Sequence, residues 1–311
     1  MRTRAKEKIY IVGHKNPDTD TICSSIAYAQ FLKQKGKRAQ AFRSGEINPE
    51  TKFVLDYFKF PLPKRVTGLS GKKVILLDHN EKTQSPEDID RAQILEVIDH
   101  HKINFQCSDP IFFLNEPLGS TSTIIAKKYL QDKKVKISRE IAGILLSGIL
   151  SDTVAFRSAT TTKEDIEIAK KLAKIAKIRN FEKFGIEIKK KKAGLKGLKA
   201  KDIINSDFKD FLFSNKKIGV GQVEISDLKE AEERKEELFK GLKEIRESGK
   251  YRLVVLMLTD IINIGSLLLA EGKIEYLEKA FGKKIKNNSL YLKGIMSRKK
   301  EIIPPLMKVI G

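Results

Sequence analysis

The chain has 311 residues, of which 41% are hydrophobic and 32% charged, a composition that excludes a disordered chain and a length that favours two domains. With 61 Lys and Arg against 40 Asp and Glu, the net charge of +21 makes an anionic partner plausible. The basic residues are spread along the chain without a nucleic-acid recognition motif, so a Lys- and Glu-rich surface explains the charge equally well.

The first half of the sequence predicts a parallel α/β sheet, because short apolar runs alternate with helical patterns. Strands are predicted at 9–12, 74–77 and 97–98, and helices at about 21–35, 141–150 and 162–178. Each strand ends in polar residues, and the carboxyl ends of parallel strands are where ligands bind in open sheets.

The second half predicts a smaller mixed α/β domain. Its strands are expected at 218–223, 253–258 and 267–270, with a charged helix over about 227–248. The lysine run at 189–192 and the glycines behind it predict a flexible linker. We therefore expect a first domain over 1–188, a linker over 189–197 and a second domain over 198–311.

No apolar run approaches the roughly 20 residues that span a bilayer, and the basic opening does not resemble a signal peptide. A cytoplasmic location without membrane association is expected. Cys23 and Cys107 follow no metal-ligand spacing and are expected to be reduced.

All four histidines of the chain lie directly after predicted strands, and several aspartates lie at equivalent positions. These residues are His14, His79, His100 and His101, with Asp18, Asp20, Asp78, Asp99 and Asp152. Clusters of His and Asp at one edge of a sheet favour a metal site.

In the loop from Gly13 to Asp20, Pro17 stiffens a segment from which His14, Asp18 and Asp20 can converge on one point. The alternative is that the two aspartates only cap the following helix. Capping explains one aspartate but neither the second nor the histidine.

Five segments resemble, in order, the signatures of the family II inorganic pyrophosphatases, which belong to the DHH phosphoesterase superfamily. They are GHKNPDTDTICSSIAYA, LLDHNE, VIDHH, LSDT and the late run Ser297–Lys300, and together they extend from about residue 8 to residue 300. The resemblance implies an N-terminal parallel-sheet DHH domain and a smaller mixed α/β domain, with the active site in the cleft between them. It also implies a homodimer formed through the N-terminal domain.

The activity implied by the resemblance is metal-dependent hydrolysis of inorganic pyrophosphate to two phosphates by a hydroxide that bridges two metal ions. The implied metal ligands are His14, Asp18, Asp20, Asp78, His100 and Asp152. In this pattern Asp78 bridges the two ions, His14, Asp18 and Asp152 hold one of them, and Asp20 and His100 hold the other. The donor types suit two Mn²⁺ or Co²⁺ ions per chain, and additional Mg²⁺ is expected with the substrate.

The resemblance also implies four residues that bind substrate and assist catalysis, which are His101, Lys209, Arg298 and Lys299. His101 is expected either to protonate the leaving group or to act by its charge alone. Asp99 and His79 are expected to orient ligands or neighbouring loops. The run Gly119–Thr123 leaves two interpretations open, an anion site made of backbone amides or the start of a helix.

Two other functions are possible. One is a DHH-type phosphodiesterase or exopolyphosphatase that acts on short oligonucleotides, cyclic dinucleotides or polyphosphate. Those relatives usually carry a second domain with a His-containing, glycine-rich motif, and the second half of this chain contains no histidine. The other is a basic nucleic-acid-binding protein that keeps the fold without the chemistry. We expect pyrophosphate as substrate and no nucleic-acid partner.

Overall fold

The computed structural model describes residues 7–192, 194–195 and 197–311. Residue contacts divide the chain into two compact units, Met1–Lys191 and Lys192–Gly311. The division falls within the segment predicted as a linker, although Ala193 and Lys196 of that segment and the opening residues 1–6 lie outside the described residues.

The sheet of the first unit has five described strands, which are β1 (Ile9–Val12), β2 (Ala39–Phe42), β3 (Lys73–Leu77), β4 (Gln93–Asp99) and β5 (Phe112–Asn115). They lie in the order β2-β1-β3-β4-β5, and all neighbours are parallel. The chain passes from β1 to β2 on one side and then to β3 on the other. A topological switch point, the usual ligand-binding position in such sheets, therefore lies between β1 and β3.

The described helices of the first unit are α1 (Thr19–Gln34), α2 (Pro49–Tyr57), α3 (Thr121–Gln131), α4 (Arg139–Asp152), α5 (Lys163–Ala176) and α6 (Phe181–Lys192). Strand side chains alternate between two cores. Ile11 and Ile75 pack against the helices, whereas Val12 and Val74 face a smaller core on the opposite side of the sheet. Helix α4 is the central one, since every residue from Ile141 to Ser151 is buried.

The second unit has a mixed sheet in the order β10-β9-β8-β7-β6. Its strands are β6 (Phe208–Phe213), β7 (Lys216–Ile225), β8 (Leu253–Asp260), β9 (Gly265–Gly272) and β10 (Ser289–Lys293). β7 and β8 are parallel and the other pairs are antiparallel. Ser214 and Asn215 join β6 to β7 with positive φ angles of 43° and 63°, as a tight hairpin turn requires.

The described helices of the second unit are α7 (Ala200–Asn205), α8 (Leu228–Glu233), α9 (Lys235–Ser248), α10 (Glu275–Phe281) and α11 (Ile303–Ile310), the last preceded by a π-helical turn at Arg298–Ile302. The prediction of a single helix over 227–248 is wrong, because α8 and α9 meet at a non-helical Arg234. The Arg234 guanidinium donates to the carbonyl oxygens of Leu195 and Leu198.

The predicted α/β class, with a parallel first sheet and a mixed second sheet, is confirmed. The prediction that the linker begins with a flexible lysine run is not confirmed, because Lys189–Lys192 form the last turn of α6. Lysine is a good helix former, and a run of four provides no helix stop signal by itself.

Candidate metal centre

The six implied metal ligands lie together at the carboxyl edge of the first sheet. His14 follows β1, Asp78 follows β3 and His100 follows β4, while Asp18 caps α1, Asp20 lies in its first turn and Asp152 ends α4. Adjacent parallel strands end at the same edge, and α1 begins directly after the β1 loop. The topology therefore brings together residues that are up to 138 positions apart.

The six implied ligands form two groups that share Asp78, and a third group of donor atoms, made of Asp78, His100 and His101, overlaps the second. One group contains His14, Asp18 and Asp78, and the other contains Asp20, Asp78, His100 and Asp152, with the atoms of each group within 4.8 Å of one another. His14 Nε2 lies 3.6 Å from Asp78 Oδ2, whereas His100 Nε2 lies 3.5 Å from Asp78 Oδ1. The two oxygens of one carboxylate thus face different histidines, which is the arrangement that lets it bridge two ions.

The grouping corrects the expected division of the ligands. Asp152 was expected to join His14 and Asp18, but its Oδ2 lies 3.6 Å from His100 Nε2, within the second group. The physical reason is that the end of α4 brings Asp152 beside His100, which follows β4. The sequence gives no signal for this choice.

The backbone and side chain of Asp78 are both constrained. Its φ angle of 63° lies in the left-handed region, which costs a non-glycine residue of order 1 kcal/mol. The Thr21 and Thr121 hydroxyls donate to its two oxygens, one to each. The carboxylate is therefore fixed in orientation by two helices. Neither threonine belongs to a sequence pattern that predicts this role.

The N-terminus of α3 holds Asp20. The backbone amides of Thr121 and Ser122 donate to the Asp20 carboxylate at 2.6 and 2.9 Å. The Gly119 amide donates to the buried Asp165 instead. Of the two interpretations of the run Gly119–Thr123, the start of a helix is therefore correct, and the amides of Gly119, Thr121 and Ser122 bind protein carboxylates.

His100 has the geometry of a metal ligand. Its Nδ1–H donates to the Leu118 carbonyl oxygen at 2.9 Å, which leaves the lone pair of Nε2 facing the carboxylates. That Nε2 atom is buried and has no hydrogen-bond partner among the described residues. A buried nitrogen without a partner is costly, and a cation would satisfy it. Imidazole and carboxylate donors without thiolate fit hard or borderline divalent ions.

The electrostatics of the cluster favour cations. Burial raises the pKa of Asp20, Asp78 and Asp152, and the neighbouring carboxylates raise each of them further. Four carboxylates in one partly buried cluster repel each other unless they are protonated or paired with positive charge. The four aspartates would balance two divalent cations.

Asp99 organises the loop that carries His100 and His101. Fully buried, it accepts hydrogen bonds from both of their backbone amides and from Asn80 Nδ2. His101 Nδ1 lies 2.9 Å from Asp99 Oδ1, and this hydrogen bond raises the pKa of His101 to about 9. His101 is half exposed and carries a proton at neutral pH.

The His79 ring lies beside that of His14, with the ring centroids 6.4 Å apart, but both of its nitrogens bond outside the ligand groups. Its Nδ1 bonds the Leu77 carbonyl oxygen and its Nε2 the Ser85 hydroxyl, and burial lowers its pKa to about 4. It is therefore a neutral residue that ties the 78–85 loop together.

The implied substrate residues of the second unit differ in environment. Arg298 is buried, with its guanidinium 3.0 Å from both oxygens of Asp207 and 3.0 Å from the Val220 carbonyl oxygen. Lys299 in the π-helical turn and Lys209 on β6 are exposed. Arg298 is thus engaged within its own unit, whereas the two lysines present their side chains to solvent.

Helix α4 approaches the centre closely because of one glycine. A Cβ at Gly148 would lie 2.2 Å from Ser122 Oγ and 2.9 Å from Asp20 Oδ1.

Within the part of the chain that the structure describes, no helix is long and apolar enough to cross a membrane.

Comparisons with known proteins agree with this architecture. The DHH family, N-terminal domain, matches residues 8–149, and the DHHA2 domain matches residues 186–309. The chain is 47% identical over 304 residues to a manganese-dependent inorganic pyrophosphatase of Methanocaldococcus jannaschii, covering 96% of this chain and 97% of the relative. It is 42% identical over 304 residues to that of Bacillus subtilis, covering 96% and 98%.

Among solved structures, the chain is similar to one from Methanococcus jannaschii that is assigned to the family II inorganic pyrophosphatases. The TM-score is 0.72 at 46% identity, and the match covers 97% of this chain and 99% of that chain. The likeness therefore extends over both units.

Proposed function

The chain belongs to the family II, manganese-dependent inorganic pyrophosphatases, and from this premise we propose that it hydrolyses inorganic pyrophosphate to two phosphates. The observation that carries the proposal is the position of Asp78, whose two oxygens face His14 and His100 in two separate ligand groups. A carboxylate shared in this way is typical of two-metal sites that cleave phosphoanhydrides.

We propose that the two groups hold two Mn²⁺ ions, with Co²⁺ as a substitute, and that further Mg²⁺ enters with the substrate. When bound, such ions lower the pKa of a water molecule and offset the charge of the phosphates. His14, Asp18 and Asp78 would hold one ion, and Asp20, Asp78, His100 and Asp152 the other.

His101 is the proposed proton donor to the departing phosphate. Asp99 fixes its ring through Nδ1, so Nε2–H is left for the substrate. Because the pKa of His101 is raised to about 9, the imidazole is charged at neutral pH and stabilises negative charge even before it transfers a proton.

Lys209 and Lys299 are proposed to bind the phosphate oxygens as exposed point charges. Arg298 is proposed to bind the substrate by exchanging Asp207 for a phosphate oxygen, since its Nη atoms are otherwise occupied. A planar guanidinium suits either bidentate partner.

We also propose that the protein is a homodimer formed through its first unit. Phe112 on the edge strand β5 is 50% exposed, and Ile103 in the loop that leads to β5 is 64% exposed, which supports an interface there. Sedimentation of a Phe112→Glu variant as a monomer, beside a dimeric wild type, would support this assignment. The cytoplasmic location stays a prediction.

The test of the activity is phosphate release from Mg-pyrophosphate by metal-stripped protein, with and without added Mn²⁺. A short oligonucleotide and a cyclic dinucleotide serve as control substrates. Fast Mn²⁺-dependent cleavage of pyrophosphate alone is expected. Preference for a nucleotide would keep the two-metal site but contradict the substrate, and cleavage of none of the three would contradict the proposal as a whole.

A further inference from the structure

A buried ion pair lies beneath the metal centre, outside the six ligands. Glu50, in the first turn of α2, and Lys189, near the end of α6, are 1% and 6% exposed. Lys189 Nζ lies 3.5 Å from Glu50 Oε2. Removing two charges from water is costly, and such a pair contributes little net stability compared with apolar residues of similar size. A function other than stabilising the fold is therefore expected for this ion pair.

The other carboxylate oxygen of Glu50 joins two ligand-bearing elements. Oε1 accepts a hydrogen bond from the Thr19 hydroxyl at 3.0 Å and another from the Ser151 hydroxyl. Thr19 lies between Asp18 and Asp20 at the start of α1, and Ser151 directly precedes Asp152 at the end of α4. One buried oxygen thus fixes the backbone beside three of the six ligands, and those three belong to both ligand groups.

The Thr19 hydroxyl both donates and accepts a hydrogen bond in this arrangement. Because it donates to Glu50, it accepts from Thr51 Oγ1, which lies 3.1 Å away on α2. The network therefore ties α2 as well as α6 to the junction of α1 and α4. A shift of any of these elements would change the spacing between the two ligand groups.

The charges of Glu50 and Lys189 affect the charge balance of the metal centre. Asp18, Asp20, Asp78 and Asp152 balance two divalent ions, but Glu50 adds a fifth negative charge close by. Lys189 offsets that charge, and it also lies close enough to Asp152 to act against the rise of that carboxyl's pKa.

We propose that Glu50 is a positioning residue for the metal centre, that its Oε1 sets the distance between the α1 and α4 ligands, and that Lys189 compensates its charge. This proposal rests on the two-ion site proposed above. Residues that orient metal ligands typically change metal affinity by about 10- to 100-fold when removed.

Two charge-matched double variants of the full chain separate positioning from charge. Glu50→Gln with Lys189→Met keeps an oxygen acceptor, whereas Glu50→Leu with Lys189→Met keeps the volume but removes the acceptor. Mn²⁺ affinity is measured by calorimetric titration of the metal-stripped proteins, beside their metal-free melting temperatures. A Lys35→Met, Asp132→Asn variant, which removes a surface ion pair of the same unit, is the control.

The Gln-containing variant should bind Mn²⁺ within about threefold of the wild type, because its hydrogen bonds persist. The Leu-containing variant should bind about 10- to 100-fold more weakly at a similar metal-free melting temperature. Equal affinities of the two double variants would overturn the proposal while leaving the two-ion site intact. A wild type that binds no Mn²⁺ would overturn both.

Two single substitutions that each remove one hydroxyl group keep the test decisive if the Leu-containing variant does not fold. Thr19→Val and Ser151→Ala each remove one donor to Glu50 and leave the ion pair in place. Each is expected to weaken Mn²⁺ binding severalfold, and unchanged affinity in both would overturn the proposal.

Discussion

Gly148 offers the sharpest structural test of how closely α4 must pack against the metal centre. A Cβ at this position lies 2.2 Å from Ser122 Oγ and 2.9 Å from Asp20 Oδ1. To reach an ordinary contact of 3.4 Å, Ser122 Oγ must move by about 1.2 Å and Asp20 Oδ1 by about 0.5 Å. Asp20 is held by two backbone amides, so its movement would stretch and weaken these hydrogen bonds.

Two opposing effects set the expected stability of a Gly148→Ala variant. Alanine in a helix interior gains about 0.5 to 1 kcal/mol over glycine. Overpacking a dense interior costs about 1 to 3 kcal/mol. The free energy of unfolding should therefore fall by about 0 to 2.5 kcal/mol in the metal-free protein. Mn²⁺ affinity should fall by about 10- to 100-fold because Asp20 is displaced.

Gly143 provides a matched control on the same helix. A Cβ there lies 2.1 Å from a ring carbon of Phe58, in the core of the first unit and away from the ligands. Gly143→Ala should thus lose similar stability while keeping its Mn²⁺ affinity. Calorimetric titration with Mn²⁺ and denaturant unfolding measure the two quantities separately. Unchanged affinity in Gly148→Ala, or an equal loss in both variants, would refute the reasoning.

Three further predictions follow from the charged groups. In the metal-free protein, His101 should titrate near pH 9 by NMR, and Asp99→Asn should move its pKa back toward the ordinary value of 6.5; an unchanged pKa would contradict the role of Asp99. Arg298→Ala should leave Mn²⁺ affinity intact but lower turnover, so a loss of metal binding would count against its placement on the substrate. The raised pKa values of Asp20 and Asp78 mean that the folded metal-free protein holds protons which the unfolded chain releases above its ordinary carboxyl pKa of about 4. The stability that they contribute at low pH should therefore be lost as the pH rises through these pKa values, and saturating Mn²⁺ should oppose that loss; a metal-free melting temperature that rises over this range would contradict it.

The sequence predicted the strands that lie inside the sheets but none of the edge strands. β1, β3, β4, β7, β8 and β9 coincide with predicted apolar runs, whereas β2, β5, β6 and β10, which form the edges, were not predicted. Central strands are buried on both faces and are continuously apolar, as in 74–77. Edge strand β6 is half exposed, and Lys209 and Asp210 interrupt its apolar residues, which weakens that signal. Edge strand β5 carries the apolar run 111–114, which was not interpreted as a strand.

The candidate ligands were predicted from recognisable motifs and lie close together in the structure, but their division into groups was not predicted correctly. The sequence places His14 and His100 after strands, and it does not reveal which ligand group Asp152 joins, because that depends on where α4 ends in space. Glu50 and Lys189 carry no motif, and Lys189 was assigned to a flexible run. Long-range packing alone brings them together.

The most direct test of the central claim is diffraction at the manganese absorption edge from crystals of the protein prepared with Mn²⁺. The account predicts two anomalous peaks about 3.5 to 4 Å apart, one beside each oxygen of Asp78. The peak on the Oδ2 side should adjoin His14, and the one on the Oδ1 side should adjoin His100 and Asp152. A single peak, or two peaks that do not share Asp78, would contradict it.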